Sequence, residues 1–232
     1  MRAGVGEVSR GLGHARARIG DKLLTWLTAL LAVITFIIIP LHSGGLIEAQ
    51  GYGFLIVVIM AGCILGAPAG LWPVSIMLAG VGLGAAASLA RFLNDPVLGL
   101  YLDVTAWITA GTALAYVVTR AVFGPGRITY HRVVGAVLLY ITIGQIFVGL
   151  YALAGFLLPR AFTGVEFTES PKLVSDLTYF SFATLTTLGY GDIVPLHPLT
   201  RSLSNLEAII GQIYPATLIA RLVTLELEGR RR

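Results

Sequence analysis

The sequence predicts an all-α membrane protein with six transmembrane helices and, between the fifth and sixth, a broken segment that re-enters the bilayer. Three observations predict it. The 232 residues are 56% hydrophobic and only 12% charged, against about 25% charged in a soluble domain. The apolar residues gather into runs of spanning length, for which about 20 residues are needed. Residues 171–195 lie between the last two runs and are too polar, and too interrupted by Pro and Gly, to cross as one helix. Non-helical backbone at membrane depth survives only where protein covers it or water reaches it. That segment is therefore expected to enter and leave by the same face.

The spans are expected at about Leu23–Leu41, Gly53–Ala67, Leu71–Ala90, Leu98–Phe123, Val133–Leu158 and Leu203–Leu225. The second is short for a bilayer. Pro68 and Gly70 form a tight turn after it, and Pro40, Pro96, Pro125 and Pro159 mark other boundaries. The basic leader is followed by no small-x-small cleavage site before Pro40, so the first helix is read as retained rather than as a signal peptide. The single cysteine, Cys63, sits in an apolar run, which excludes an internal disulfide and suits a packing role. Gly62, Gly66 and Gly70, then Gly80 and Gly84, recur at four-residue spacing, which permits close helix contacts in lipid.

Charge placement sets the expected orientation. With the N-terminus inside, twelve of the 16 Lys and Arg fall on the cytoplasmic side, leaving Arg91, Arg160, Lys172 and Arg201 outside. A multi-pass protein of the cell membrane with both termini cytoplasmic follows. The net charge of +4 is thus topological. No basic patch is interleaved with aromatics, so no nucleic acid is expected. The chain divides into a basic N-terminus (1–22), a four-helix region (23–123), a cytoplasmic linker (124–132), a domain built on the last two spans (133–228) and a basic tail (229–232).

Within the broken segment a short helix is expected over Asp176–Thr186, with Ser175 as N-cap and Asp176 in the first turn. Its C-terminal end would aim partial negative charge at the membrane centre. Then come Thr-Leu-Thr-Thr-Leu-Gly-Tyr-Gly-Asp, residues 184–192. Glycine tolerates the positive φ values that let successive carbonyls face one axis. A ring of such carbonyls can replace the hydration shell of a monovalent cation.

Thr184, Thr187, Gly189, Tyr190, Gly191 and Asp192 match the signature Thr-x-x-Thr-x-Gly-Tyr-Gly-Asp. On these residues the chain resembles the potassium-channel pore-domain family, in the six-helix, single-loop, prokaryotic type without a voltage-sensing arginine series. The likeness is specific over about 133–228 and merely topological before it. It implies a re-entrant pore helix and a selectivity filter, Thr187-Leu188-Gly189-Tyr190-Gly191. The carbonyls of Thr187, Leu188, Gly189 and Tyr190, with the Thr187 hydroxyl, would hold K⁺, while the Leu188 and Tyr190 side chains pack behind. Asp192 would stand at the outer mouth and bond an aromatic residue eleven positions before Tyr190, here Tyr179 in place of the usual tryptophan. A space-filling cuff of Tyr179 and Phe180 is the alternative. Ala183 stands where some members carry an acid, and Leu188 where many carry valine or isoleucine. Thr184 would support the filter. Gly211, nineteen residues after Asp192, falls at a gating hinge, with Pro215 favouring a kink beyond it; close packing is the other reading of Gly211. One Gly-Tyr-Gly-Asp per chain supplies a quarter of a ring, so a homotetramer in the lipid bilayer follows.

The resemblance therefore implies passive, potassium-selective conduction with no cofactor besides the transported ion. The alternatives are a weakly selective monovalent cation channel, the membrane subunit of a potassium transporter, and a non-conducting accessory protein. Transporter chains of that kind generally carry four degenerate loops, against one here. Glu207 is ionisable at membrane depth and a functional candidate, bonding behind the pore helix or pairing with Arg201. Gln145 and Gln212 read as interhelical hydrogen-bond residues rather than ion ligands. The fourth span offers only Arg120 and Asp103. One charge crossing the field is worth about 2.3 kcal/mol per 100 mV, so steep voltage dependence is not expected. His14, His42, His131 and His197 are scattered over loops, and no enzyme site emerges. The few residues from Glu226 to Arg232 leave no room for a ligand-sensing domain; any ligand gating is expected to use the membrane part, a separate subunit or lipid.

Overall fold

The computed structural model describes residues 24–47, 71–123 and 130–230. The short second span expected at 53–67, Cys63 and the basic leader lie outside the described residues. Helix α1 runs Leu24–Ser43 and passes through Pro40 rather than stopping before it. Proline lacks the N–H that would close an i−4 bond. The helix accommodates this by widening to a π turn over Ile34–Ile38, where the Ile39 N–H reaches back to Ile34 O.

Helices α2 (Leu71–Phe92) and α3 (Pro96–Phe123) form a hairpin. Asn94 takes φ +62° at the turn, and the Asp95 carboxylate accepts from the Leu98 N–H at 3.0 Å, with Pro96 opening α3. This is an N-cap followed by proline in the first turn, where its missing donor costs nothing. Pro96 therefore starts a helix rather than ending one.

Helix α4 (Tyr130–Leu157) is the centre of the packing and begins three residues before the expected Val133. Leu24, Leu27 and Leu31 of α1 and Leu114 and Val118 of α3 bury against Leu138, Leu139 and Ile141 of α4. Polar bonds fix the pairing: Gln145 Nε2 donates to Thr35 Oγ1 at 3.0 Å, and Trp107 Nε1 to Gln145 O at 2.9 Å. In lipid such bonds, with close van der Waals fit, replace the hydrophobic force between helices.

Beyond α4 come strand β1 (Phe162–Thr163), helix α5 (Pro171–Leu185), strand β2 (Val194–Pro195) and helix α6 (Pro198–Arg230). The strands pair antiparallel, Phe162 opposite Pro195 and Thr163 opposite Val194. Helix α1 contacts α5 directly, with Phe36 meeting Phe182 edge-on at 5.1 Å. The first helix thus lines the α4–α5 unit instead of standing apart in a peripheral bundle.

Among the described residues, four helices are long and apolar enough to cross a membrane: α1, α2, α3 and α4. Helix α6 is long but carries Ser204, Asn205, Glu207 and Gln212 across the expected sixth span. At the far end of α6, Arg221 donates to Phe123 O at 2.7 Å, tying it to the C-terminus of α3. Cations are favoured at helix C-termini, whose last carbonyls lack partners.

Candidate functional site

Helix α5 starts five residues before the expected Asp176. Ser170, in extended conformation, accepts from the Leu173 N–H, and Pro171 takes the first helical position. Ser175 is therefore interior, and Asp176 pairs with Lys172 one turn back at 3.8 Å. Proline at N1 carries the signal, because its fixed φ suits the first turn and its absent N–H would be unbonded there anyway.

The C-terminal end of α5 builds the next stretch. The Thr187 N–H bonds Thr184 O at 2.9 Å, and the Leu188 N–H bonds Ala183 O at 2.8 Å. With Thr186 as C-cap, these are the two crossing bonds of a Schellman motif. Thr187 occupies its left-handed position at φ +60°. Glycine usually sits there, and a β-branched residue at positive φ is a genuine outlier. The chain keeps the threonine hydroxyl at the expense of local strain.

From Thr187 the hand alternates. Thr187, Gly189 and Gly191 have φ of +60°, +53° and +79°, whereas Leu188 and Tyr190 between them do not have positive φ. An ordinary strand points successive carbonyls to opposite sides. Alternating left- and right-handed residues turn them instead to one side. Leu188 and Tyr190 are 62% and 67% exposed on the single chain.

Behind this stretch lies a buried polar knot. Glu207 of α6, Tyr151 of α4 and Ser181 of α5 are each fully buried. The Tyr151 hydroxyl donates to Glu207 Oε2 at 2.5 Å. The Ser181 hydroxyl stands 2.5 Å from Glu207 Oε1 and 2.9 Å from Gly144 O. Glu207 therefore bonds behind α5. Arg201 does not pair with it and donates instead to Pro195 O at 3.1 Å. Tyr151, Phe162 and Phe180 surround the knot with edge-on contacts of 4.9–5.6 Å.

One turn further along α6, a Cβ on Gly211 would lie 1.9 Å from Leu185 O. Glycine is required there for close approach of α6 to the end of α5, which supplies the packing reading of this residue directly. Gln212 Nε2 donates to Thr187 Oγ1 at 3.0 Å, and both side chains are exposed on the single chain. Pro215 lies inside α6.

At the other end, Tyr179 faces the Asp192 carboxylate, and the Tyr179 and Tyr190 rings stack at 5.9 Å and 13°. Phe180, beside Tyr179, turns into the aromatic cluster. The β1–β2 pairing clasps the backbone just past Asp192. Gly164, at φ +85°, leaves room for Asp192 O, 2.0 Å from where a Cβ would be. Arg91 ion-pairs with Asp103 and, at 2.8 Å, with Glu169, linking the α2–α3 hairpin to the segment before α5.

Thus Thr187–Gly191, Asp192, Tyr179 and the backbone of Thr184 converge on one locus, with Gly211 packed against its base and Pro215 one turn beyond. Tyr151, Ser181 and Gly164 were not singled out in the sequence. Gly164 is a lone glycine between the fifth expected span and Pro171; Tyr151 and Ser181 read as ordinary helix residues. Among the described residues no group of three His, Cys, Asp or Glu could hold a metal ion.

Comparison with known proteins singles out the same region. Residues 146–227 match a family model described as "Ion channel". The inward rectifier potassium channel Kirbac3.1 of Paramagnetospirillum magnetotacticum is 34% identical over 68 residues, 28% of this chain and 23% of that protein. Protein LctB of Bacillus caldotenax is 37% identical over 65 residues, 25% of this chain and 48% of that protein. The chain thus spans under half the length of each of these curated relatives. No solved structure matches it.

Proposed function

We propose, from the match of residues 146–227 to a family model described as "Ion channel", that four copies of the chain form a potassium-selective channel. In this reading α4 and α6 are outer and inner helices, α5 is a re-entrant pore helix, and Thr187–Gly191 line the axis. With the undescribed second span, the chain crosses the membrane six times, both termini cytoplasmic. The observation that carries the proposal is the alternation of φ from Thr187 to Gly191, immediately after a helix terminated by a Schellman motif.

The chemistry follows from that backbone. Carbonyls of Thr187, Leu188, Gly189 and Tyr190 turned to a common axis, with the Thr187 hydroxyl, give K⁺ oxygen ligands in place of its water. Both filter glycines adopt positive φ without a Cβ penalty. The end of α5 adds partial negative charge, and Asp192 attracts cations at the outer mouth. The large exposed surfaces of Leu188 and Tyr190 favour neighbours that would cover them in a ring. Fourfold closure supplies those neighbours. Gly211 and Pro215 remain candidates for a hinge, within a helix that Gly211 also holds close to α5.

Purified protein in potassium-loaded vesicles tests the proposal. K⁺ efflux that exceeds Na⁺ efflux manyfold supports it. Comparable fluxes favour the weakly selective cation channel, and absence of flux from a verified tetramer rejects conduction.

A further inference from the structure

The strained threonine at the base of the stretch has a partner that no family resemblance assigned. Glycine at position 187 would satisfy the Schellman turn with less strain, so the threonine side chain is retained for what it does. Its hydroxyl accepts a hydrogen bond from Gln212 Nε2 at 3.0 Å. A hydroxyl oxygen has two lone pairs and one hydrogen. The carboxamide occupies one lone pair and aims the positive end of its N–H dipole at the oxygen expected to face the innermost ion.

The placement of Gln212 is fixed rather than incidental. Its neighbour Gly211 lies so close to Leu185 O that any side chain there would clash. Helix α6 therefore cannot recede from the base of the stretch without breaking this contact. Tyr214, on the same turn, bonds Ala136 O at 2.8 Å and stacks on Tyr140 at 5.8 Å. Gln212 is thus presented to Thr187 by a well-anchored turn.

We propose that Gln212 is a specificity-determining residue of the innermost cation site, its carboxamide N–H directed at the Thr187 hydroxyl so that this site holds a dehydrated cation less firmly than the sites formed by carbonyls. The inference rests on the conduction reading above. In a ring of four chains, four such dipoles oppose a bare cation at one level. Throughput requires that an ion be bound well enough to enter and weakly enough to leave, and the pair Gln212–Thr187 sets the second condition at the inner end.

The test is block by internal Ba²⁺, a divalent ion close to K⁺ in size, in bilayers containing wild type, Gln212→Met, Thr187→Ala and the double variant. Wild-type K⁺ current comes first: if a verified tetramer passes none, the conduction reading fails and this inference falls with it. Where current is present, Gln212→Met is expected to tighten internal block at least threefold in the Thr187 background and by less than half that factor in the Thr187→Ala background. Gln212→Leu, which adds no charge and cannot donate an N–H, is expected to show the same dependence on Thr187 and serves if the methionine variant does not assemble. Equal shifts in both backgrounds, or no shift in either, overturn the role of Gln212 while leaving conduction intact.

Discussion

Replacing Glu207 separates a hydrogen-bond knot from a charge requirement. Tyr151 and Ser181 each have one hydroxyl hydrogen, and Ser181 has two acceptors in reach, Gly144 O and Glu207 Oε1. Glutamine at 207 can keep the knot complete. Its amide oxygen accepts from Tyr151, its NH₂ donates to the Ser181 oxygen, and Ser181 passes its own hydrogen to Gly144 O. Leucine, of similar bulk, removes the carboxylate that accepts from the buried Tyr151 hydroxyl and leaves Ser204 as its polar neighbour, whereas Ser181 retains Gly144. An unsatisfied buried donor costs about 1–3 kcal/mol, and interhelical bonds in a membrane protein average about 0.6 kcal/mol. The expected loss for Glu207→Leu is therefore about 1–3 kcal/mol per chain, and under about 1 kcal/mol for Glu207→Gln. Thermal dissociation of the detergent-solubilised assembly reads both. Tyr151→Phe removes the same donor, so the pair Tyr151→Phe and Glu207→Leu should be less than additive. If Glu207→Gln weakens the assembly as much as Glu207→Leu, the hydrogen-bond count is wrong and the carboxylate charge is what matters.

Other substitutions probe the base and mouth of the same unit. Thr187→Gly removes a left-handed penalty of about 1–2 kcal/mol and should raise thermal stability while lowering K⁺ preference over Na⁺; a stability loss would contradict the strain argument. Gly211→Ala gains helix propensity of about 1 kcal/mol but sets a Cβ 1.9 Å from a main-chain oxygen, and overpacking costs about 1–3 kcal/mol or more. A net loss of assembly stability is expected, whereas altered gating at unchanged stability would favour the hinge over close packing. Tyr179→Phe keeps the stack on Tyr190 and removes the hydroxyl that faces Asp192; if that hydroxyl braces Asp192, current decay during sustained opening should accelerate with ion preference retained. An unchanged time course would leave the pair as space-filling.

The helices and the signature stretch were legible because their signals are local. Apolar runs gave α1 to α4 to within a few residues, and Gly-Tyr-Gly between Thr187 and Asp192 marked the backbone that needs positive φ. Local signals also misled where two competed. Ser175-Asp176 looks like a helix start, yet Ser170-Pro171 wins because proline fixes the first-turn φ. Pro40 reads as a stop, but a π turn absorbs it. What the sequence could not disclose depends on contacts between distant elements. Glu207 meets Tyr151 across 56 positions and Thr187 meets Gln212 across 25, and no periodicity encodes either. Gly211 offered a hinge or a close contact from sequence, and only the distance to Leu185 O supplied the contact.

The reversal potential of single-channel current across a bilayer, with K⁺ on one side and Na⁺ on the other, tests the central claim most directly. A cage of aligned main-chain oxygens from Thr187 to Gly191 predicts that it tracks the K⁺ gradient closely and moves with it as the gradient is changed. A reversal potential near zero under the same opposed gradients would contradict it.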